Sequence, residues 1–240
     1  MSAPASTIDH PVESLATNAS ANPSASSLDA SRRQPATTAS GAPELARQPL
    51  SGDDQEKLAV AKKLVVDNLR MIPDFPIPGI KFIDILPVFQ NPAAFAALLD
   101  VLVLLLVDRF GDSIPDVIIG LEARGFLFGP SLALRLGRPF VPVRKKGKMP
   151  GECVTVEYTK EYGKDEFQVQ TNAIKPGQQC LIVDDIIATG GTAAAAGKLV
   201  ELSNANIMGY LFMIDIINLK GTTLLGDKPI ITLIEHNEEE

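Results

Sequence analysis

Residues 181–200 read LIVDDIIATGGTAAAAGKLV. An apolar run ends on two adjacent carboxylates, Asp184 and Asp185, passes through a short loop with Gly190 and Gly191, and restarts as an alanine-rich stretch suited to a helix. Two carboxylates side by side repel each other, so a strand that ends on them needs hydroxyls, a cation or basic groups nearby. The start of the helix offers free backbone N–H groups and the positive end of its dipole, which suit a phosphate. Gly190 and Gly191 let the backbone close round such an anion, and Thr189 and Thr192 add hydroxyl donors. Carboxylates for a sugar diol beside a phosphate nest describe a ribose 5-phosphate site. The plainer alternative is a strand, a turn and a helix capped by Thr192, with two solvated aspartates. That alternative suits a lone Gly-Gly-Thr better than the full DDxxATGGT pattern. A Walker A loop is excluded by counting, because Gly191 and Gly197 enclose five residues and Leu199 stands where Ser or Thr would bind magnesium.

Working outward, the apolar spacing of Leu58, Ala61, Leu64, Val65 and Leu69 predicts an amphipathic helix over residues 55–70. MIPDFPIPGIKF follows with Pro73, Pro76 and Pro78, which predicts a stiffened, extended loop. A helix is expected over residues 92–110, a buried strand at VIIG (117–120), a helix over 126–136 and a strand at PFVPVR. Residues 145–151 read as a Lys, Gly and Pro loop. VTVEY and EFQVQ alternate as an antiparallel pair would, with EYGKD as their turn, and strands IMGYLFMID and IITLI close the chain. Strands alternating with helices, several apolar throughout, predict an α/β fold with a central parallel sheet flanked by helices. Ligands of such sheets sit beyond the carboxyl ends of the strands.

The first fifty residues are dominated by Ala, Ser, Pro and Thr without apolar period, so residues 1–52 are expected to be a disordered tail and 53–240 the globular domain. Asp9, Glu13, Asp29 and Glu44 interrupt the tail and only Arg32, Arg33 and Arg47 are basic, which argues against a transit peptide. No apolar run follows Met1, and the greasy residues 93–107 are cut by Asp100, so neither secretion nor a membrane span is expected. A net charge of −7 argues against nucleic acid as a partner. Cys153 and Cys180 form no framework, consistent with a reducing compartment and a cytoplasmic location. His10 and His236 have no neighbours that suggest a triad.

VDDIIATGGT resembles the phosphoribosyl pyrophosphate signature of the type I phosphoribosyltransferases. DFPIPGIKFIDILPVF, GLEARGFLFGPSLA, VRKKGKMPG and EYGKDEFQVQ resemble, in the same order, segments of the family's adenine-using members. The resemblance implies the family fold, with a small hood and an antiparallel flap. It also implies a purine-salvage reaction that moves 5-phosphoribosyl from the pyrophosphate donor to adenine, giving AMP and pyrophosphate. Magnesium would be the cofactor, carried mainly by the donor with Asp184 and Asp185 as the protein groups able to reach it, and the enzyme would be a homodimer.

Carried over residue by residue, the resemblance gives Asp184 and Asp185 the ribose hydroxyls and Ala188, Thr189, Gly190, Gly191 and Thr192 the 5-phosphate. Arg124 corresponds to a catalytic, pyrophosphate-binding arginine, for which a planar bidentate guanidinium is suited; without the resemblance it would be a surface arginine paired to Glu122. Arg144, Lys145 and Lys148 fall in the loop that reaches pyrophosphate. Glu161 is the candidate acid or base near adenine N7 or N9, and Tyr162 helps a lid to close. The family's base loop matches GIKFID, so Phe82 would stack on adenine, main-chain groups from Ile80 to Asp84 would read its edge, and Ile80 and Ile216 would line the pocket. Two other functions remain open here: transfer to hypoxanthine or guanine, whose 6-oxo group asks for a donor such as Lys81, and a noncatalytic sensor of the donor. Arg124, Glu161 and the basic loop argue against a sensor, which has no need of leaving-group and lid chemistry.

Overall fold

The computed structural model describes residues 49–160 and 163–237. The first helix, α1 (Gly52–Asp67), starts three residues before the expected point because the Ser51 hydroxyl accepts the N–H of Asp54 at 3.2 Å, and Asp53 and Asp54 suit the dipole of its first turn. The proline-rich segment is not one extended loop. It opens as strand β1 (Arg70–Pro73) and closes as β2 (Lys81–Asp84), an antiparallel ribbon with Arg70 opposite Asp84. Pro73 is tolerated because it is the last residue of its strand, and the other prolines fall in the turn. An Arg70–Asp84 ion pair at 2.5 Å fastens the open end of the ribbon. A short helix, α2 (Leu86–Gln90), follows it.

Helix α3 (Pro92–Phe110) is set by Asn91, whose side chain accepts the N–H groups of Ala93 and Ala94 at 3.0 and 3.3 Å, with Pro92 at the first position where its missing N–H costs nothing. Then come β3 (Val117–Leu121), α4 (Gly125–Leu136), β4 (Phe140–Lys145), β5 (Cys153–Lys160), β6 (Gly163–Gln170), β7 (Gln179–Ile187), α5 (Gly191–Leu202), β8 (Asn206–Ile216), two short 3-10 turns at Ile217–Leu219 and Gly221–Leu225, and β9 (Ile230–His236).

Five parallel strands in the order β4-β3-β7-β8-β9 make the core of the sheet, as expected, but the sheet as a whole is mixed. The antiparallel pair β5–β6 is joined to the β4 edge, where Arg144 and Lys145 lie opposite Gln168 and Phe167. The flap is therefore a continuation of the sheet that carries the site. Two apolar layers sandwich the strands. One holds Val65 of α1, Leu98, Val101 and Leu102 of α3 and Phe128 and Leu132 of α4; the other holds Ala196, Leu199 and Val200 of α5 with Phe167 of the flap. Burial of these side chains on both faces is what fixes β3 and β7 as central strands. Among the described residues no helix is long and apolar enough to cross a membrane.

Candidate active site

Strand β7 does not stop at Val183. It continues through Ile187, paired to β8 at Asp184↔Phe212 and Ile186↔Ile214, whereas its pairing with β3 ends at Gly120↔Val183. Asp184 and Asp185 thus emerge where one neighbouring strand has ended and the other has not, which opens a mouth beside them. Asp185 is only 2% exposed, and its Oδ2 receives the Arg124 Nε at 2.9 Å. Asp184 Oδ1 accepts the N–H of Asp185 at 2.9 Å. Burial pushes the Asp184 carboxyl well above its usual range, and the charge of Asp185 adds to the push. Asp185 is also raised by burial, with Arg124 pulling the other way. Neither is a solvated aspartate, which removes half of the plainer reading of this stretch.

The other half fails at the helix. The residue capping α5 is Gly190, with φ at +81°, and no side chain bonds the free N–H groups of the first turn; Thr192 lies inside the helix. Among the described residues those donors have no side-chain cap, and such a helix start can receive an anion. The loop is braced from behind by a residue that sequence patterning missed. A Cβ on Gly221 would stand 2.1 Å from the Ala188 carbonyl oxygen and 2.6 Å from Gly190 N, and a Cβ on Gly190 would stand 2.1 Å from the Gly221 carbonyl oxygen. Backbone meets backbone there with no room for a side chain. Gly125 plays a similar part, since its Cβ would be 2.7 Å from the Val183 carbonyl oxygen, and its absence lets the start of α4 bring Arg124 onto β7.

These elements enclose a cavity of about 260 Å3 whose walls include Arg124, Lys145, Asp184, Asp185, Thr189 and Thr192. A second, largely apolar cavity of about 290 Å3 is walled by Ile72, Phe75, Phe82, Ile85 and Leu86, with Arg124 again at its edge. Arg124 therefore stands between a polar, helix-capped chamber and an apolar slot. In the slot Phe82 meets Phe75 edge to face, with ring centroids 5.0 Å apart.

The remaining expected residues are placed less simply. The Asp84 carboxylate is buried; burial raises its pKa, but the Leu86 N–H and Arg70 outweigh that and hold it below its usual value. Its carboxylate is a strut of the hood as well as part of the slot wall. Ile80 lines neither cavity: its N–H donates to Ile77 and its carbonyl accepts from Phe75, both at 3.3 Å, so its main chain is engaged within the turn. Ile216 is packed in the core and lines neither cavity. Arg124 is not the partner of Glu122. That carboxylate takes the Arg144 Nη2 at 3.0 Å, and Arg144 Nη1 donates to the Lys148 carbonyl at 3.0 Å. The bond from Arg144, more than burial, leaves Glu122 with a lowered pKa. Lys145 reaches the polar chamber, with its Nζ 3.8 Å from Asp165; Lys148 does not line it. Glu161 and Tyr162 lie outside the described residues.

Sequence and structure comparisons agree on one relationship. Residues 90–219 match the family model for the phosphoribosyl transferase domain. The chain is 53% identical over 171 residues to the adenine phosphoribosyltransferase of Yarrowia lipolytica, covering 71% of this chain and 93% of that one. It is 53% identical to adenine phosphoribosyltransferase 1 of Saccharomyces cerevisiae, covering 71% of this chain and 91% of the yeast protein. Among solved structures, adenine phosphoribosyltransferase from Saccharomyces cerevisiae, complexed with D-2,5-dideoxy-2,5-imino-altritol 1,6-bisphosphate and adenine, aligns with a TM-score of 0.71 at 51% identity, over 73% of this chain and 99% of that one.

Proposed function

The chain belongs to the adenine phosphoribosyltransferases of the type I phosphoribosyltransferase family, and from that premise we propose how its residues share the reaction. It is a purine-salvage transferase that moves 5-phosphoribosyl from phosphoribosyl pyrophosphate to adenine, giving AMP and pyrophosphate. The observation that carries the assignment of roles is the position of Arg124 on the edge of both cavities. A reaction that joins a flat apolar base to a phosphorylated sugar while a pyrophosphate leaves needs such a junction.

The backbone of residues 188–192 takes the 5-phosphate at the uncapped start of α5, helped by the hydroxyls of Thr189 and Thr192. Asp184 and Asp185 accept the ribose hydroxyls. A diol that donates to them adds to the Arg124 and main-chain donors and further offsets the burial that raises both carboxyls. Arg124 stabilises the departing pyrophosphate, and Lys145 adds charge from the flap side, with Arg144 and Lys148 in the same turn. The apolar slot lined by Phe82, Phe75, Ile72 and Ile85 holds adenine, with Phe82 as the stacking ring and the apolar walls excluding water. Glu161 remains the proposed acid or base toward the purine and Tyr162 part of the closing lid.

The two adjacent carboxylates fit a divalent ion only as a minority of its ligands, because no group of three metal-ligating side chains occurs among the described residues. Mg2+ therefore suits the site as an ion whose other oxygens belong to the donor. When bound it would neutralise developing negative charge on the pyrophosphate. We further assign residues 1–52, apart from Ser51 and Gly52, which begin α1, to a tail outside the catalytic domain, a homodimer as the working assembly, and the cytoplasm as its location. The tail's composition supports the first, the family resemblance the second, and two free cysteines the third.

The test is to incubate the purified protein with magnesium, phosphoribosyl pyrophosphate and each purine in turn. AMP formed from adenine, with hypoxanthine and guanine inert, is expected. Preferred conversion of a 6-oxopurine, or donor binding without turnover of any base, would overturn the reading.

A further inference from the structure

We propose that Glu122 is a positioning residue for the pyrophosphate group, acting through Arg144 on the fold of the basic turn. The proposal rests on the assignment of that turn to pyrophosphate. Glu122 follows the last residue of β3, and its N–H donates to the Val143 carbonyl at 3.0 Å, so it sits beside the end of β4. Its carboxylate then organises three groups. Oε1 accepts Arg144 Nη2 at 3.0 Å, and Oε2 accepts Arg144 Nε at 3.3 Å and the Lys145 N–H at 3.0 Å. Arg144 passes the constraint on, because its Nη1 donates to the Lys148 carbonyl at 3.0 Å while the Lys148 N–H closes the turn on the Lys145 carbonyl at 3.1 Å.

Four cations fall within residues 144–148, and like charges so close repel one another. A turn carrying them needs anionic anchors to hold one conformation: Glu166 takes the Lys146 ammonium at 2.7 Å, Asp165 lies 3.8 Å from Lys145 Nζ, and Glu122 anchors the Arg144 end together with the Lys145 main chain. Its side chain is 17% exposed and that of Arg144 34%, so the pair is shielded enough to hold geometry. Lys145, whose main-chain N–H is bonded to Glu122, is the member of the turn that reaches the polar chamber. Glu122 also lines that chamber, yet no anion would seek a carboxylate, which leaves orientation of its neighbours as its use.

Two roles for the carboxylate predict opposite signs. If Glu122 were only a countercharge, Glu122→Gln would remove negative charge beside an anion site and strengthen pyrophosphate binding. If it positions the turn, the same change weakens it, since a neutral amide cannot hold the guanidinium fork and Lys145 loses its aim. The experiment is AMP pyrophosphorolysis with parent, Glu122→Gln, Arg144→Gln and the double variant, reading KM for pyrophosphate and for AMP separately. We expect KM for pyrophosphate to rise about tenfold or more in either single variant. KM for AMP should stay within about twofold, and the double variant should be no worse than the poorer single, because both act through one strut. An unchanged or lower pyrophosphate KM in Glu122→Gln, an equal rise for AMP, or losses that multiply in the double variant would each overturn the proposal. Should Glu122→Gln fail to fold, Arg144→Gln alone must show the pyrophosphate-specific rise, and its absence counts against the strut. A parent that forms no AMP from adenine in the forward assay would instead refute the underlying assignment, so the two failures are told apart.

Discussion

At the end of the site proposed for the 5-phosphate the walls are main chain, while at the end proposed for pyrophosphate they are ionised side chains. The first is built from the backbone of residues 188–192, the open start of α5 and the mutual contact of Gly190 with Gly221. The second is a set of ion pairs: Arg124 with Asp185 at 2.9 Å, Arg144 with Glu122 at 3.0 Å and Lys145 with Asp165 at 3.8 Å. Backbone has no rotamers to reorganise, so the phosphate end is ready before a ligand arrives. The cations of these ion pairs already have carboxylate partners, and pyrophosphate must share them. The phosphate end should therefore suffer when atoms are added, and the pyrophosphate end when charge is removed.

The carboxylates at the boundary of the two ends should give the largest effect. Replacing both Asp184 and Asp185 with Asn keeps their size but removes the charge that holds Arg124 and is proposed to meet the ribose. Donor affinity and turnover are expected to fall together by about two orders of magnitude or more. Calorimetric titration of the donor beside steady-state rates checks this, and unchanged values would return the pair to a purely structural role.

A smaller effect is expected behind the phosphate loop. Gly221→Ala adds one methyl where the Ala188 carbonyl oxygen stands 2.1 Å from the would-be Cβ, and such overpacking costs about 1–3 kcal/mol. Thermal unfolding should register that loss, and AMP and ribose 5-phosphate should bind more weakly while pyrophosphate binding holds. Equal losses for all three ligands would mean that the brace supports the fold at large and not the loop.

The smallest effect is expected from removing residues 1–48. The Ser51 cap of α1 and every assigned site residue are retained, so catalytic efficiency should change by less than about tenfold, or roughly 1.4 kcal/mol. A larger drop in kcat/KM would show that the tail contributes to the site.

The same contrast decides what could be read from sequence. The strand, loop and helix of residues 181–192 were legible because strand pattern, glycines and helix composition are local, and the proposed phosphate site of backbone groups would lie in consecutive residues. Arg124 was legible by its place after a strand, but its partner was not. Sequence suggests Glu122, two residues away, whereas the close approach of the start of α4 to β7, allowed by Gly125, brings it to Asp185. The Glu122–Arg144 pair joins the ends of two parallel strands, a proximity that only the register of β3 with β4 reveals. Gly221 carries no local signal, since a single glycine after Lys220 reads as an ordinary turn. In the hood, three prolines outweighed the strand signal of KFID, and the Arg70–Asp84 tie that closes the ribbon is again long in sequence. Of the residues expected near the base, Phe82 lines the apolar slot, while Phe75 beside it was hidden among the prolines and Ile80 is engaged within its own turn.

The division of the site into a backbone end and an ion-paired end is tested most directly by a crossed titration. Ribose 5-phosphate and pyrophosphate are each titrated by calorimetry into the parent, Gly190→Ala and Lys145→Ala. Gly190→Ala, which drives a Cβ onto the Gly221 carbonyl from a residue at φ +81°, should weaken ribose 5-phosphate and leave pyrophosphate nearly as in the parent. Lys145→Ala, which removes a cation from the polar chamber, should do the reverse. Each variant weakening both ligands alike, or Gly190→Ala sparing ribose 5-phosphate, would contradict the account.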